Sequence, residues 1–165
     1  MKILVMSDSH SGISFMRRCV KAVKPQAIIH LGDHFDDGET IAQEFPHIPM
    51  HQVPGNCDTW RMLRYEPPVR CYDVGGVRLY MTHGHEHGVK QTLALLLKDA
   101  RAMGAKAALY GHTHGADCHR EEDGLWVLNP GACGSSGGSV GLIETENGEI
   151  QTVRILKSPD LEEIL

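Results

Sequence analysis

A chain of 165 residues with 41% apolar and 22% charged side chains has the composition of an ordinary globule and enough length for one domain, spanning 1–165. Its net charge of −5 argues against bulk nucleic-acid binding, and no run of 18 apolar residues is present to span a membrane.

Met1-Lys2-Ile3-Leu4-Val5-Met6 runs directly into Ser7-Asp8, too short an apolar stretch for a signal peptide. Five cysteines (19, 57, 71, 118 and 133) are an odd number without CxxC spacing. Both features point to reduced, structural thiols and a cytoplasmic setting. Eleven histidines are unevenly spread: His83, His85, His87, His112 and His114 crowd into two short segments.

In chain order, residues 2–7 form a short apolar run that predicts a buried strand. From Gly12 to Lys24, apolar residues at 13, 16, 20 and 23 predict a helix, and Pro25 follows its end. Residues 27–31 form a second strand, Gly38 to Phe45 a short helix closed by Pro46, and Met50 to Val53 a third strand. This βαβαβ order predicts a parallel sheet. Val69–Val74 and Val77–Met81 flank Gly75-Gly76 as a hairpin. Thr92 to Met103 reads as a helix, with apolar residues at 93, 96, 97 and 100 and a stop at Gly104. Lys106 to Tyr110 is a short strand. His119–Leu128 and Val140–Ile155 each hold a glycine turn, Asp123-Gly124 and Asn147-Gly148, between β-prone runs. A parallel first half followed by hairpins suggests two stacked sheets flanked by helices.

Polar clusters fall where the strands end. Asp8-Ser9-His10, Gly32-Asp33, Gly55-Asn56-Cys57-Asp58, His83-Gly84-His85 and Gly111-His112-Thr113-His114 each follow an apolar run. Ligands of α/β sheets bind in the crevice outside the carboxyl ends of strands. Asp, His and Asn without thiolate suit Mn, Fe, Zn or Ni better than a structural zinc site does. Seven donors are too many for one tetrahedral ion and suit two, about 3.5–4 Å apart and bridged by a carboxylate.

Taken together and in order, these five blocks resemble those of the calcineurin-like metallophosphoesterases. The short length, the Gly-Asn-Cys-Asp wording and the closing Asn129-Pro130-Gly131 look most like the small YfcE-type phosphodiesterases. The likeness runs from Met1 to Ile155. It implies an α/β fold, a four-layer αββα sandwich of two mixed sheets flanked by helices. It also implies that phosphate diesters are hydrolysed by in-line attack of a hydroxide bridging two divalent ions, with manganese the first candidate. Asp8, His10 and His114 would hold one ion, Asn56, His83 and His112 the other, and Asp33 both. Asn56 and His85 are candidates for contacting substrate.

One departure matters. Many members of the wider superfamily carry a histidine after the Asn of this block, assigned to protonating the leaving group, and here Cys57 stands there. A thiol with an ordinary pKa of about 8.5 is a poor acid, which leaves Cys57 and His85 as the candidate proton donors. His30, inside a strand, reads as a core histidine, and His34, His47, His51 and His119 as surface residues. His87 is placed in a loop near the site. Asp36 and Asp37 suit the first turn of a helix. Asp58 orients neighbours or caps a helix. Arg17, Arg18, Lys21 and Lys24 read as a solvated helix face, as do Arg61 and Arg64, which otherwise could reach a phosphate. Asn129-Pro130-Gly131 reads as a turn bracing the site.

Three rivals stand against a small phosphate-ester substrate hydrolysed as a diester. His112-x-His114-x-x-Asp117 superficially resembles the HxHxDH of metallo-β-lactamase-fold hydrolases, but the aspartate falls one position late and no histidine follows it. A non-catalytic interaction scaffold, like the small subunit of the retromer coat, shares the implied fold with a degraded pocket, whereas this chain keeps Asp33 and Asn56. A phosphomonoesterase is the remaining alternative, and the oligomeric state is not readable.

Overall fold

A computed structural model describes residues 1–58, 65–134 and 137–164. The strands are β1 Lys2–Met6, β2 Ala27–His30, β3 Met50–Gln52, β4 Val69–Val74, β5 Val77–Thr82, β6 Ala107–Leu109, β7 Asp117–Arg120, β8 Trp126–Asn129, β9 Ser139–Glu146 and β10 Glu149–Lys157. Among the described residues the α-helices are α1 Ile13–Val23, α2 Phe35–Glu44, α3 Ala94–Ala102 and α4 Ser158–Ile164, and a 3-10 turn covers His85–His87.

One sheet has the order β10-β9-β1-β2-β3 and the other β4-β5-β6-β8-β7. Because strand side chains alternate between faces, an apolar strand feeds two interfaces at once. In β1, Ile3 and Val5 enter the cluster between the sheets, while Leu4 and Met6 face α1. In β5, Leu79 and Met81 point inward and Tyr80 outward, under α3. Three apolar interfaces therefore separate four layers, as the fold class requires. The inner one holds residues of both sheets, and the outer two seat α1, α2 and α4 on one side and α3 on the other.

The basic stretch of α1 is a helix face in which Arg17 pairs with Glu44 of α2 through two 2.6 Å contacts. Among the described residues, no helix is long and apolar enough to cross a membrane.

Three features of the fold depart from the sequence expectation. Helix α2 begins at Phe35, not Gly38, because the carboxylate of Asp58 accepts the Phe35 amide at 2.8 Å and caps the helix from another loop. Helix α4 carries too short a pattern to stand out, and Leu161 alone buries it. The second half is not only hairpins: β5 pairs parallel with β6, and β6 parallel with β8. The crossover through α3 sets the first pairing and the return through β7 the second, and both matter for function. β1, β2 and β3 run parallel in one sheet, and β5, β6 and β8 in the other, so each sheet presents a carboxyl edge.

Candidate metal centre

All five polar blocks meet where those two edges face one another, so the donors converge across two sheets rather than along one. His83, at the end of β5, donates from Nδ1 to the carbonyl of Leu31, just past β2, at 2.8 Å. A carbonyl can only accept, so this bond fixes the tautomer and leaves Nε2 of the neutral ring as a bare lone pair. Nε2 faces oxygens, a set that either a proton on this nitrogen or a shared cation would bridge: Asn56 Oδ1 at 3.0 Å, Asp33 Oδ2 at 3.5 Å and Asp8 Oδ1 at 3.8 Å.

Asp8 divides its carboxylate. Oδ2 accepts from the Ser7 hydroxyl at 2.6 Å and from the His112 amide at 3.1 Å. Oδ1 is buried without a hydrogen-bond partner, 3.2 Å from His114 Nε2. An unpaired anionic oxygen away from water is costly unless a cation takes it. Asp33 repeats the pattern, with Oδ1 accepting the Cys57 amide at 2.9 Å and Oδ2 facing His10 and His83. One ligand atom from each of Asp8, His10, Asp33 and His114 lies within 4.8 Å of the others. His112 lies alongside, its ring centroid 5.0 Å from that of His83. Asp/His/Asn donors with one tautomer fixed from behind and one carboxylate oxygen unpaired suit divalent cations.

Electrostatics run the same way. Burial alone would raise Asp33, but the hydrogen bond and charge of His83 and the Cys57 amide outweigh it and hold the carboxyl well below the usual range. Burial pulls His83 down, but Asp33 and Asp8 outweigh it and raise the ring above its ordinary value. Burial, then the neighbouring His83, lowers His112 and His85 below the ordinary imidazole value. His85 lies at the rim, its centroid 5.5 Å from His83 and 6.1 Å from His112. Cys57 is exposed, and burial of its sulfur and the charge of Asp33 push the thiol up, so it keeps its proton.

The scaffold behind the donors is built from residues of lesser prominence. Asp58 accepts three backbone amides, of Gly55 at 2.6 Å, Phe35 at 2.8 Å and Asp33 at 3.1 Å, joining the loops after β2 and β3. Gly55 has no alternative there, since a Cβ would collide with the Asp33 carboxylate. Asn129 braces the histidine loop as expected, donating to Thr113 Oγ1 at 2.9 Å and to the Gly111 carbonyl at 3.2 Å. Nine non-glycine residues among those described have positive φ, and seven lie here: Asp8, His10, Ser11, Asp33, His34, His112 and His114. Backbone of this kind is costly and collects at functional sites.

Several histidines move from their expected places. His34 is not merely at the surface, since its ring packs edge-on against His10 at 4.9 Å. His51 is half-buried and shares a 2.7 Å hydrogen bond with the Tyr72 hydroxyl. His87 is not beside the donors but buried on the outer face of the second sheet, against Tyr80. Strand pleat decides this, and a loop sequence does not reveal it. Arg61 and Arg64 lie outside the described residues.

His30 is a core histidine as expected, fully buried, with Nε2 3.0 Å from the Ser9 hydroxyl. Burial pushes its pKa down to about 4, against pulls from Asp58, Asp37 and Asp8. The unfolded ring binds a proton near pH 6.5 and the folded ring does not, so stability falls as pH drops from 6.5 toward 4. The expected loss is up to about 3 kcal/mol. Urea unfolding of wild type and His30→Gln between those pH values checks it, with a flatter slope expected for the variant.

A two-sheet sandwich with carboxylates and imidazoles gathered at its parallel carboxyl edges is the architecture of a metallophosphoesterase. Residues 1–148 match the calcineurin-like phosphoesterase superfamily domain, and the chain belongs to that superfamily. It is 31% identical over 134 residues to YsnB of Bacillus subtilis, described as a probable metallophosphoesterase, covering 80% of this chain and 75% of YsnB. A predicted phosphoesterase from Streptococcus pneumoniae superposes with a TM-score of 0.73 at 25% identity, over 94% of this chain and 88% of that one. Zinc-bound Vps29 from Entamoeba histolytica has a TM-score of 0.71 at 18% identity, over 95% of this chain and 98% of its own, and this likeness is one of fold alone.

Proposed function

We propose that this chain is a dinuclear-metal-dependent phosphodiesterase acting on small phosphate diesters. The observation that carries the reading is the buried Asp8 Oδ1, which lacks a hydrogen-bond partner and is set among Asp33, His10 and His114. Asp8, His10 and His114 would hold one ion, Asn56, His83 and His112 the other, and Asp33 both. Two divalent ions there would lower the pKa of water and offset charge growing on the phosphoryl oxygens. Manganese is the first candidate, with iron, zinc and nickel admitted by the same donors.

The chain's own residues set the rest. His85 at the rim, with Asn56, is read as the contact to a phosphoryl oxygen. Cys57 holds its proton tightly and is a weak donor to a leaving group, which favours esters with good leaving groups. Among the charges that reach His112 is the cation of Lys90, which lowers it. Five free cysteines support a reducing, cytoplasmic setting. All seven donors are present, which favours catalysis over the interaction scaffold.

The test is direct. Metal-free protein is supplied with Mn²⁺ and assayed on bis-p-nitrophenyl phosphate beside p-nitrophenyl phosphate. Turnover of the diester is expected. Faster turnover of the monoester points to the phosphomonoesterase, and no turnover with Mn²⁺, Fe²⁺, Zn²⁺ or Ni²⁺ removes the enzyme reading.

The paired histidines give a finer test. His112 and His114 are two residues apart yet assigned to different ions, so His112→Ala and His114→Ala should each empty a different position. Anomalous diffraction from manganese-loaded crystals counts them, and depletion of one shared position by both variants contradicts the assignment.

A further inference from the structure

The 3-10 turn His85–His87 carries two imidazoles that part company. His85 reaches the rim of the donor cluster, 5.5 Å from His83. His87 turns to the outer face of the second sheet, where it is 6% exposed. There its Nε2 lies 2.9 Å from the hydroxyl of Tyr80 on β5 and 3.4 Å from Asp99 Oδ2 on α3.

The turn itself has little else to hold it. Gly84 and Gly88 bracket it with φ of +108° and +62°, conformations that favour glycine and impose no side-chain constraint of their own. Its internal bonds both end on one carbonyl, from the His87 amide at 3.0 Å and the Val89 amide at 3.4 Å to Gly84. Val89, packed against Gly84, is the apolar support. The polar anchor is the His87 contact with Tyr80 and Asp99, which ties the turn to the strand and helix beneath it.

The geometry points to His87 as a positioning residue that fixes the ring of His85 at the rim of the centre. Its consequence for turnover rests on the phosphoesterase reading above; its consequence for the His85 ring does not. The reasoning is mechanical. A ring on a two-glycine turn has many orientations, and one buried hydrogen bond two residues away leaves few. A partner of this kind behind a functional imidazole is worth about 10-fold in activity when removed.

The experiment has two arms. In metal-free protein carrying ¹⁵N-histidine, the ring resonances of His85 are assigned by their absence in His85→Ala. His87→Phe keeps the bulk of the ring and removes the hydrogen bond, and it is expected to shift or broaden the His85 signals. His87→Gln, which can still reach Tyr80, should restore them. In the manganese-loaded protein, His87→Phe is expected to lower kcat on bis-p-nitrophenyl phosphate about 10-fold, and His85→Ala/His87→Phe to lose no more than His85→Ala alone. Should His87→Phe fail to fold, Tyr80→Phe removes the other half of the bond at no change in packing and is read in the same way. Unchanged His85 resonances, or losses that add in the double variant, overturn the proposal. Shifted resonances in a protein that hydrolyses no phosphate ester uphold the positioning role and overturn the phosphodiesterase reading.

Discussion

Asp33→Asn is expected to lower phosphodiester turnover by at least about 100-fold, beyond the usual effect of losing a residue that only orients a ligand. The substitution preserves shape, and its amide oxygen can still accept the Cys57 amide that Oδ1 now accepts at 2.9 Å. What changes is the other atom. Oδ2 stands 3.5 Å from His83 and 4.0 Å from His10, one from each proposed group of ligands, and a neutral NH₂ there donates where an ion needs an acceptor. The variant also removes one of the two carboxylate charges that raise His83, so its pKa falls, with Asp8 still opposing burial. The assay on bis-p-nitrophenyl phosphate with Mn²⁺ reads the first effect, and metal analysis of the purified variant reads its cause. Equal turnover by the variant would remove Asp33 from the centre.

Asp58→Ala should cost stability as well as activity. Its carboxylate accepts amides of Asp33, Phe35 and Gly55, each a charge-assisted bond. Losing the acceptor leaves three donors to find water at the edge of the site, with an expected cost of about 3 kcal/mol. It also frees the loop bearing Asp33 from the loop bearing Asn56, so activity should fall even where the protein remains folded. Urea denaturation gives the stability change, and Asp58→Asn, which retains one acceptor, should fall between the two. A variant as stable as wild type would show that these bonds are replaced by solvent at no cost.

How much of this was legible beforehand depends on the range of the forces involved. The strand of residues 2–7, the Gly-Gly hairpin and the helix before Pro25 are local matters of period and turn chemistry, and each stands within a residue or two of its expected place. The start of α2 was not legible, because the group that caps it arrives from residue 58. Nor was the parallel pairing of β5, β6 and β8, since short strands carry no mark of their partners. His87 shows the same limit at the scale of one side chain. Nothing in Gly-His-Glu-His-Gly says which ring faces the centre and which the sheet behind it.

The sequence by itself determined the fold class and the supply of donors. Apolar runs ending in Asp, Asn and His place those groups at strand ends, and strand ends are set by local residues. Tertiary structure alone decided how the donors are shared and held. Parallel pairing in two separate sheets brings His83 within 4 Å of both Asp8 and Asp33, with Asp8 Oδ1 buried and lacking a hydrogen-bond partner. The carbonyl of Leu31 selects the tautomer of His83 from 52 residues away. These are relations between distant segments, fixed by packing two sheets face to face, and no local pattern encodes them.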